Sequence, residues 1–481
     1  MIKFLKNKVL LYTLSRYLTY GIQFVNSLLI AKYLGVYYLG VWGFITLTLQ
    51  YLLRLNLGVS NATNAITSIH RSDNKYVSQV VGVSVVLLLV LSFVILLMFA
   101  SVRFFAFEIG EKYSFVNYLP CVVIVAILNH FNLLFSNIFR VYGKLLAIMV
   151  NQSLLPIGIL LVTFFLKGED LLWALIMVSV IAAFISFLFF LLTSPVSFKP
   201  VFNWELAKKI QIKATYLFLY NACFYLILIS TRTFISSYYS VENFGLFTFS
   251  FTLASTVLLL FQSFSFLIFP KLLNRFSSKS NEEITHLLNV LRKGYITITH
   301  FFSYIVILLF PFLIKLFPQY ISTVNTFIII VLTNALYTNS FGYPELIIAK
   351  EKEKMISLIA VFALILNVFL CCFFVFFLRV SYEYVMLATM FTYLIYIISL
   401  AQYGRGLLLK GKPLINTLKD IFSFKWLIPY VLCILLMFLK KDKDWLYITP
   451  IFIFVILNYK EFINVFNLAK SIVRKPDIID I

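Results

Sequence analysis

The sequence predicts an all-α polytopic membrane protein of about fourteen transmembrane helices, and three observations carry that reading. Of the 481 residues, 62% are hydrophobic and only 12% charged, with a mean hydropathy of +0.97. A soluble domain carries about 25% charged residues. Apolar stretches follow one another almost from end to end, each near the ~20 residues that cross ~30 Å of hydrocarbon. The basic residues, finally, gather in the short loops between those stretches.

Taken in order, the spans fall near 9–33, 38–65, 78–102, 115–139, 145–166, 171–193, 214–236, 243–269, 294–314, 322–348, 355–378, 382–404, 426–439 and 445–459. Lys3, Lys6 and Lys8 precede the first, as in a signal peptide. That stretch has full spanning length and lacks a small-residue cleavage site, so it is expected to stay as a helix.

The net charge of +21, from 40 Lys and Arg against 19 Asp and Glu, would suit a nucleic-acid binder. Placement argues otherwise. With a cytoplasmic N-terminus, about 28 of the 40 lie in the even-numbered loops and the two termini, and about nine on the opposite side. That bias predicts that both termini face the cytoplasm. Loops of about five to twenty residues leave no room for a soluble catalytic domain, so the activity is expected within the bilayer and not to be enzymatic. Cys121, Cys223, Cys371, Cys372 and Cys433 lie inside spans without metal-ligand spacing and are read as packing residues. No metal or cofactor is expected.

An internal repeat organises the spans. The junction of spans one and two, residues 31–42, matches the junction of spans seven and eight, residues 236–247, at an offset of 205. Tyr33 pairs with Tyr238, Val36 with Val241 and Gly40 with Gly245. Arg140–Lys144 after span four likewise matches the basic loop Lys350–Lys354 after span ten. An even offset of six spans puts both halves in the membrane with the same orientation, related by a pseudo-twofold axis along the membrane normal. The expected organisation is two pseudo-symmetric six-helix lobes, 1–198 and 199–410, with two C-terminal helices and a tail in 411–481.

Leu28-Leu29-Ile30-Ala31-Lys32-Tyr33-Leu34-Gly35 with Leu39-Gly40-Val41-Trp42, then Arg232–Ile235, Phe244–Phe247 and Phe269-Pro270-Lys271-Leu272, resemble the multidrug/oligosaccharidyl-lipid/polysaccharide (MOP) exporter superfamily, and within it the Wzx-type polysaccharide flippases. The resemblance covers about residues 5–410, with lysine at position 32 where the family more often has arginine. It implies two lobes around a cationic cavity, alternating access, and a monomer in the bacterial inner membrane. The implied cargo is undecaprenyl-pyrophosphate-linked oligosaccharide (O-antigen or a similar unit). A polysaccharide polymerase and a chain-length regulator would be its functional partners.

Polar residues within spans are costly and by default face a cavity or a partner. Arg16, Tyr20, Gln23 and Ser27 recur at i, i+4, i+7 and i+11 on one face of span one, and Thr46, Gln50 and Arg54 on one face of span two. Span four offers Asn129 and Asn132; span seven Lys213, Tyr216 and Tyr220; span ten Asn334. The Asn, Thr and Ser residues could equally be interhelical hydrogen-bond glue. Arg16 and Arg54 are assigned to the headgroup path, because a guanidinium pairs phosphate oxygens bidentately and stays charged. Arg232 is either an exit-side contact or a snorkelling residue. Glu345 is the acidic candidate for ion coupling, the alternative being a pair with Lys350 or Lys352. His130 is read as a buried hydrogen-bonded side chain or a proton carrier, and His300 as a loop or interface residue.

Three other readings compete. A multidrug antiporter would be expected to carry acids deep in its lobes, and no mid-span Asp stands in spans one, two, seven or eight. A peptidoglycan-precursor flippase shares the fourteen spans and stays open. A membrane-embedded polysaccharide polymerase needs a large outer loop or acidic catalytic groups, whereas the longest outer loop, 103–114, holds only Glu108 and Glu111.

Overall fold

The structure is a computed structural model, and it describes residues 8–105, 107–256, 275–276, 279–409, 413–439 and 444–474, without the side chains of 8–13, 213, 216, 217 and 468–474. Every regular element among these residues is helical. The chain packs into two compact units, residues up to 225 with 235–248, and 226–234 with the remainder from 249.

In the first unit, α1 runs from Lys8 to Arg54 and turns at Gly35, where φ is 74° and ψ 175°. Only glycine takes that conformation without a steric cost. Spans one and two are therefore joined by a one-residue corner rather than a loop. Span two is not continuous. Leu57 and Gly58 take φ of 48° and 77°, and α2 (Val59–Ile69) resumes beyond them. There follow α3 (Asn74–Phe104), capped by the Asp73 carboxylate on the Tyr76 amide, α4 (Leu119–Val141), α5 (Leu145–Thr163) and α6 (Gly168–Leu192). α7 (Trp204–Tyr238), which starts on an Asn203 cap, and α8, which covers 241–256, contribute residues to both units. On α3, Leu88, Ser92 and Ile95 are buried while Leu89, Phe93, Leu96 and Leu97 are exposed. An apolar helix that exposes one apolar face is what a lipid solvent calls for.

The repeat has a physical counterpart in this unit. A Cβ on Gly40 would stand 2.1 Å from the Val241 carbonyl oxygen, and one on Gly245 would stand 2.1 Å from that of Val36. The two contacts are thus related by the repeat, since Val241 and Val36 are themselves repeat partners. At the end of α7, Lys112 Nζ donates to the carbonyls of Ser237 (3.1 Å) and Tyr239 (2.6 Å), and the Tyr113 hydroxyl to that of Ser236 (2.8 Å). These bonds satisfy carbonyls that a helix end leaves open. Burial lowers the Lys112 pKa from the ordinary lysine value.

The second unit contains α9 (Asn281–Ile314), opened by a Ser280–Glu283 capping box. Span ten is again two pieces, α10 (Val324–Thr338) and α11 (Tyr343–Ala349), parted at Gly342 with φ 86°. α12 (Glu353–Cys372) runs into a π turn at Phe373–Phe377, and α13 is Met386–Leu408. Then come α14 (Leu414–Ile421), α15 (Phe424–Leu439), α16 (Ile448–Leu457) and α17 (Tyr459–Arg474). Among the described residues, ten helices are long and apolar enough to cross a membrane, and two bent pairs, at 65° and 70°, could cross as well. Since α1 holds two spans and α8 runs into residues outside the description, this accommodates the fourteen read from the sequence.

Two buried polar clusters hold the second unit together. Asn367 donates to the Ile227 carbonyl (2.9 Å) and Ser230 Oγ (2.8 Å) and accepts from Thr392 (3.1 Å), while Thr231 and Thr389 bond each other at 2.6 Å. The other cluster centres on Arg292, which is 2% exposed. Its Nη1 meets Asp420 Oδ2 at 2.5 Å and its Nη2 donates to the Asn339 carbonyl at 2.8 Å. Arg405 (3.1 Å) and the Tyr343 hydroxyl (2.7 Å) reach the same Asp420 oxygen. Asn339 donates to the Ile421 carbonyl (3.2 Å) and accepts from His300 Nε2 (2.9 Å). Arg292 counts as a loop cation by sequence position, and His300 as an interface residue. Both are instead interior: Arg292 meets the backbone carbonyl that the break after Asn339 leaves open, and His300 meets the Asn339 side-chain oxygen.

Candidate functional site

Ten of the thirteen candidate residues lie in the first unit. Arg16 and Tyr20, one turn apart on α1, come together with the guanidinium carbon 5.7 Å from the ring centre. Their neighbours serve packing: Thr19 shares a hydrogen bond with Ser153 (3.2 Å), and Asn26 donates to the Pro156 carbonyl (2.8 Å). Gln23 and Gln50 are half-buried on the same long helix, and Ser27 turns back onto the Gln23 carbonyl (2.8 Å).

Arg54 closes α1 as the basic residue of its last turn, where the helix dipole favours a cation. Its guanidinium stacks on Tyr225 of α7, with the central carbon 3.7 Å from the ring centre. Among the described residues no carboxylate forms an ion pair with it, and its Nε has no hydrogen-bond acceptor. The stack presents one guanidinium face to the ring and leaves the in-plane N–H fork available to an anion. Tyr225 was not legible as a partner. It lies nine residues from Tyr216, on the opposite side of α7, and no periodic signal links it to Arg54.

The span-four residues have mainly backbone partners. His130 Nε2 donates to the Leu52 carbonyl (3.0 Å), an acceptor near the broken end of α1. Asn132 donates to the Ala183 carbonyl (3.0 Å) and lies 3.5 Å from Asn129 Oδ1. Farther along α4, Asn137 donates to the Ser60 carbonyl (3.1 Å) beyond the break. α4 thus carries a row of donors that meets the interrupted backbone of span two. Tyr220 is half-buried on α7, and the Lys213 side chain lies outside the described residues, as does the 269–272 motif.

The second unit holds the other three. Arg232 is 3% exposed with its guanidinium over the Phe251 ring at 4.9 Å, inside the protein rather than reaching for a surface. Asn334 is buried on α10. Glu345 sits in the first turn of α11, and neither Lys350 nor Lys352 pairs with it among the described residues. The contacts therefore join Arg16 to Tyr20 and Arg54 to Tyr225. They do not join Arg16 to Arg54, or Glu345 to a cation. Among the described residues no cluster of His, Cys, Asp and Glu could hold a metal.

No protein-family model matches the sequence, and no curated protein sequence matches it. Solved structures do match. Lipid II flippase MurJ in an inward closed conformation aligns over 98% of this chain and 99% of its own, with TM-score 0.69 and 17% identity. The chain shares its fold with this structure and with solved transporters of the MOP superfamily. An inward-facing multidrug resistance MATE transporter of that superfamily aligns over 82% of this chain and 94% of its own, with TM-score 0.60 and 14% identity. MATE in the straight conformation gives 0.56 and 15% over 82% and 93%. At such identities the likeness establishes the fold, that of a multi-pass membrane protein, and leaves the cargo to be argued from residues.

Proposed function

We propose that the protein is a flippase that carries undecaprenyl-pyrophosphate-linked oligosaccharide, an O-antigen or similar repeat unit, from the cytoplasmic to the periplasmic leaflet by alternating access. Arg54 carries this reading. An intramembrane guanidinium that stacks on Tyr225 and has no counter-carboxylate among the described residues suits a pyrophosphate and would repel a cationic drug. Arg16 supplies a second cation on the same helix. On this reading both termini are cytoplasmic in a bacterial inner membrane, and a polymerase with its chain-length regulator consumes the delivered unit.

A second reading is a peptidoglycan-precursor flippase. It is favoured by the near-complete overlap with MurJ, 98% of this chain against 82% for the MATE transporter. Lipid analysis of a deletion strain separates the two. The first reading expects intact lipid-linked repeat units in the inner leaflet with lipid II unaffected. Lipid II accumulation would establish the second, and shortened surface chains with normal translocation would indicate a polymerase.

A further inference from the structure

Span two is interrupted between Arg54 and Val59, where two left-handed residues stand in succession, Leu57 at φ 48° and Gly58 at φ 77°. For a leucine that conformation is costly, and it persists only where the surroundings over-determine it. Part of the fixing is local, since the Asn56 side chain accepts from the Gly58 amide at 2.9 Å. The rest comes from two neighbouring helices, and all the residues concerned lie in the first unit.

On α4, His130 Nε2 donates to the Leu52 carbonyl (3.0 Å) on one side of the break. Asn137 Nδ2 donates to the Ser60 carbonyl (3.1 Å) on the other. Its Oδ1 accepts from Arg140 (2.9 Å), which sets the orientation of the amide. His130 and Asn137 stand at i and i+7 on one face, so α4 bridges the break as a splint. On α7, Phe218 and Ala214 back the same turn: a Cβ on Gly58 would stand 2.9 Å from Phe218 Cβ and 3.4 Å from Ala214 Cβ. Tyr225 lies on that face of α7, seven residues after Phe218, and Arg54 stacks on it.

We infer that His130 and Asn137 are positioning residues for Arg54. From α4 they hold the interrupted backbone of span two, and through it they keep the guanidinium on Tyr225 with its N–H fork free for an anion. His130 is 0% and Asn137 6% exposed, so they act on Arg54 through the backbone and do not touch cargo. His130 is thereby assigned to holding backbone and not to carrying protons. The identity of the anion rests on the flippase reading; the placement of Arg54 does not.

Fluorine NMR of the purified full-length protein, with 3-fluorotyrosine in place of Tyr225, tests the placement without reference to cargo. Arg54→Gln defines the resonance of an unstacked ring. His130→Leu and Asn137→Asp each delete one donor and should move the signal toward that resonance. His130→Gln keeps an amide donor near the place of Nε2 and should restore the wild-type signal. Tyr113→Phe loses a buried hydrogen bond elsewhere in the unit and should leave the signal unmoved. Binding of undecaprenyl pyrophosphate to the same proteins should weaken about tenfold in His130→Leu and recover to within about twofold in His130→Gln. An unmoved signal in both donor-deleting variants, an equal shift in Tyr113→Phe, no rescue by His130→Gln, or undiminished lipid binding in His130→Leu would each overturn the positioning role. A wild type that fails to bind the lipid at all would overturn the cargo reading alone, and the fluorine comparison would still decide this one.

Discussion

Gly40 and Gly245 are reciprocal: each lies against the carbonyl oxygen of the valine four residues before the other, Val241 and Val36. The sequence offset of 205 that pairs these glycines and valines is therefore also a contact in space. Close backbone approach at small residues is how apolar helices associate when the solvent is itself apolar. An added Cβ would fall 2.1 Å from backbone, which cannot swing aside as a side chain can. Gly40→Ala and Gly245→Ala should each lower stability by about 1–3 kcal/mol. Gly406→Ala, with nothing within 4 Å, should not. Thermal melting of the purified protein in detergent would show the difference, and three equal midpoints would refute the close contact.

The Arg54–Tyr225 stack separates charge from geometry. Arg54→Gln should cut translocation of a lipid pyrophosphate at least tenfold. Arg54→Lys should recover part of it, because the charge remains while the planar fork is lost. Tyr225→Phe preserves the ring face and should be near wild type, whereas Tyr225→Leu loses a cation–π contact of about 0.5–2 kcal/mol. Reconstituted translocation assays with surface expression as the control make the comparison. Wild-type rates in Arg54→Gln would remove Arg54 from the path.

Asp420 sits on the eight-residue α14 and collects Arg292, Arg405 and the Tyr343 hydroxyl on one oxygen. Asp420→Ala strands the buried Arg292 and should cost about 3–5 kcal/mol. Because Asp420 is itself partly exposed, the loss should fall toward the lower end. Adding Arg292→Met should restore a portion, since an apolar side chain of similar length needs no counter-ion. Unfolding in mild denaturing detergent would read both. A double variant less stable than Asp420→Ala would contradict the account.

The all-helical, many-span architecture was legible because a lipid solvent calls for long apolar runs, and the repeat because close approach at Gly40 and Gly245 demands glycine. The breaks in spans two and ten were not. Gly58 and Gly342 stand inside stretches whose hydropathy continues unbroken, and hydropathy does not register φ. What followed from the breaks was hidden with them: His130 as donor to Leu52, and Asn339 and Arg292 as interior residues. Arg54 was visible as a costly intramembrane charge. Its partner Tyr225 was not, since stacking across two helices leaves no periodic trace in either.

Direction of transport offers the last test. A pyrophosphate carrying two negative charges outward moves toward the positive side of an energised membrane. At about 2.3 kcal/mol per charge per 100 mV, the potential could supply several kcal/mol. Vesicles with a clamped potassium diffusion potential and no other ion gradient isolate that contribution. Translocation should accelerate when the cytoplasmic face is negative and slow when the potential is reversed. A rate that responds only to a sodium or proton gradient would shift the coupling to an ion, with Glu345 the first residue to neutralise. A rate unchanged after both potential and gradients are collapsed would exclude either drive.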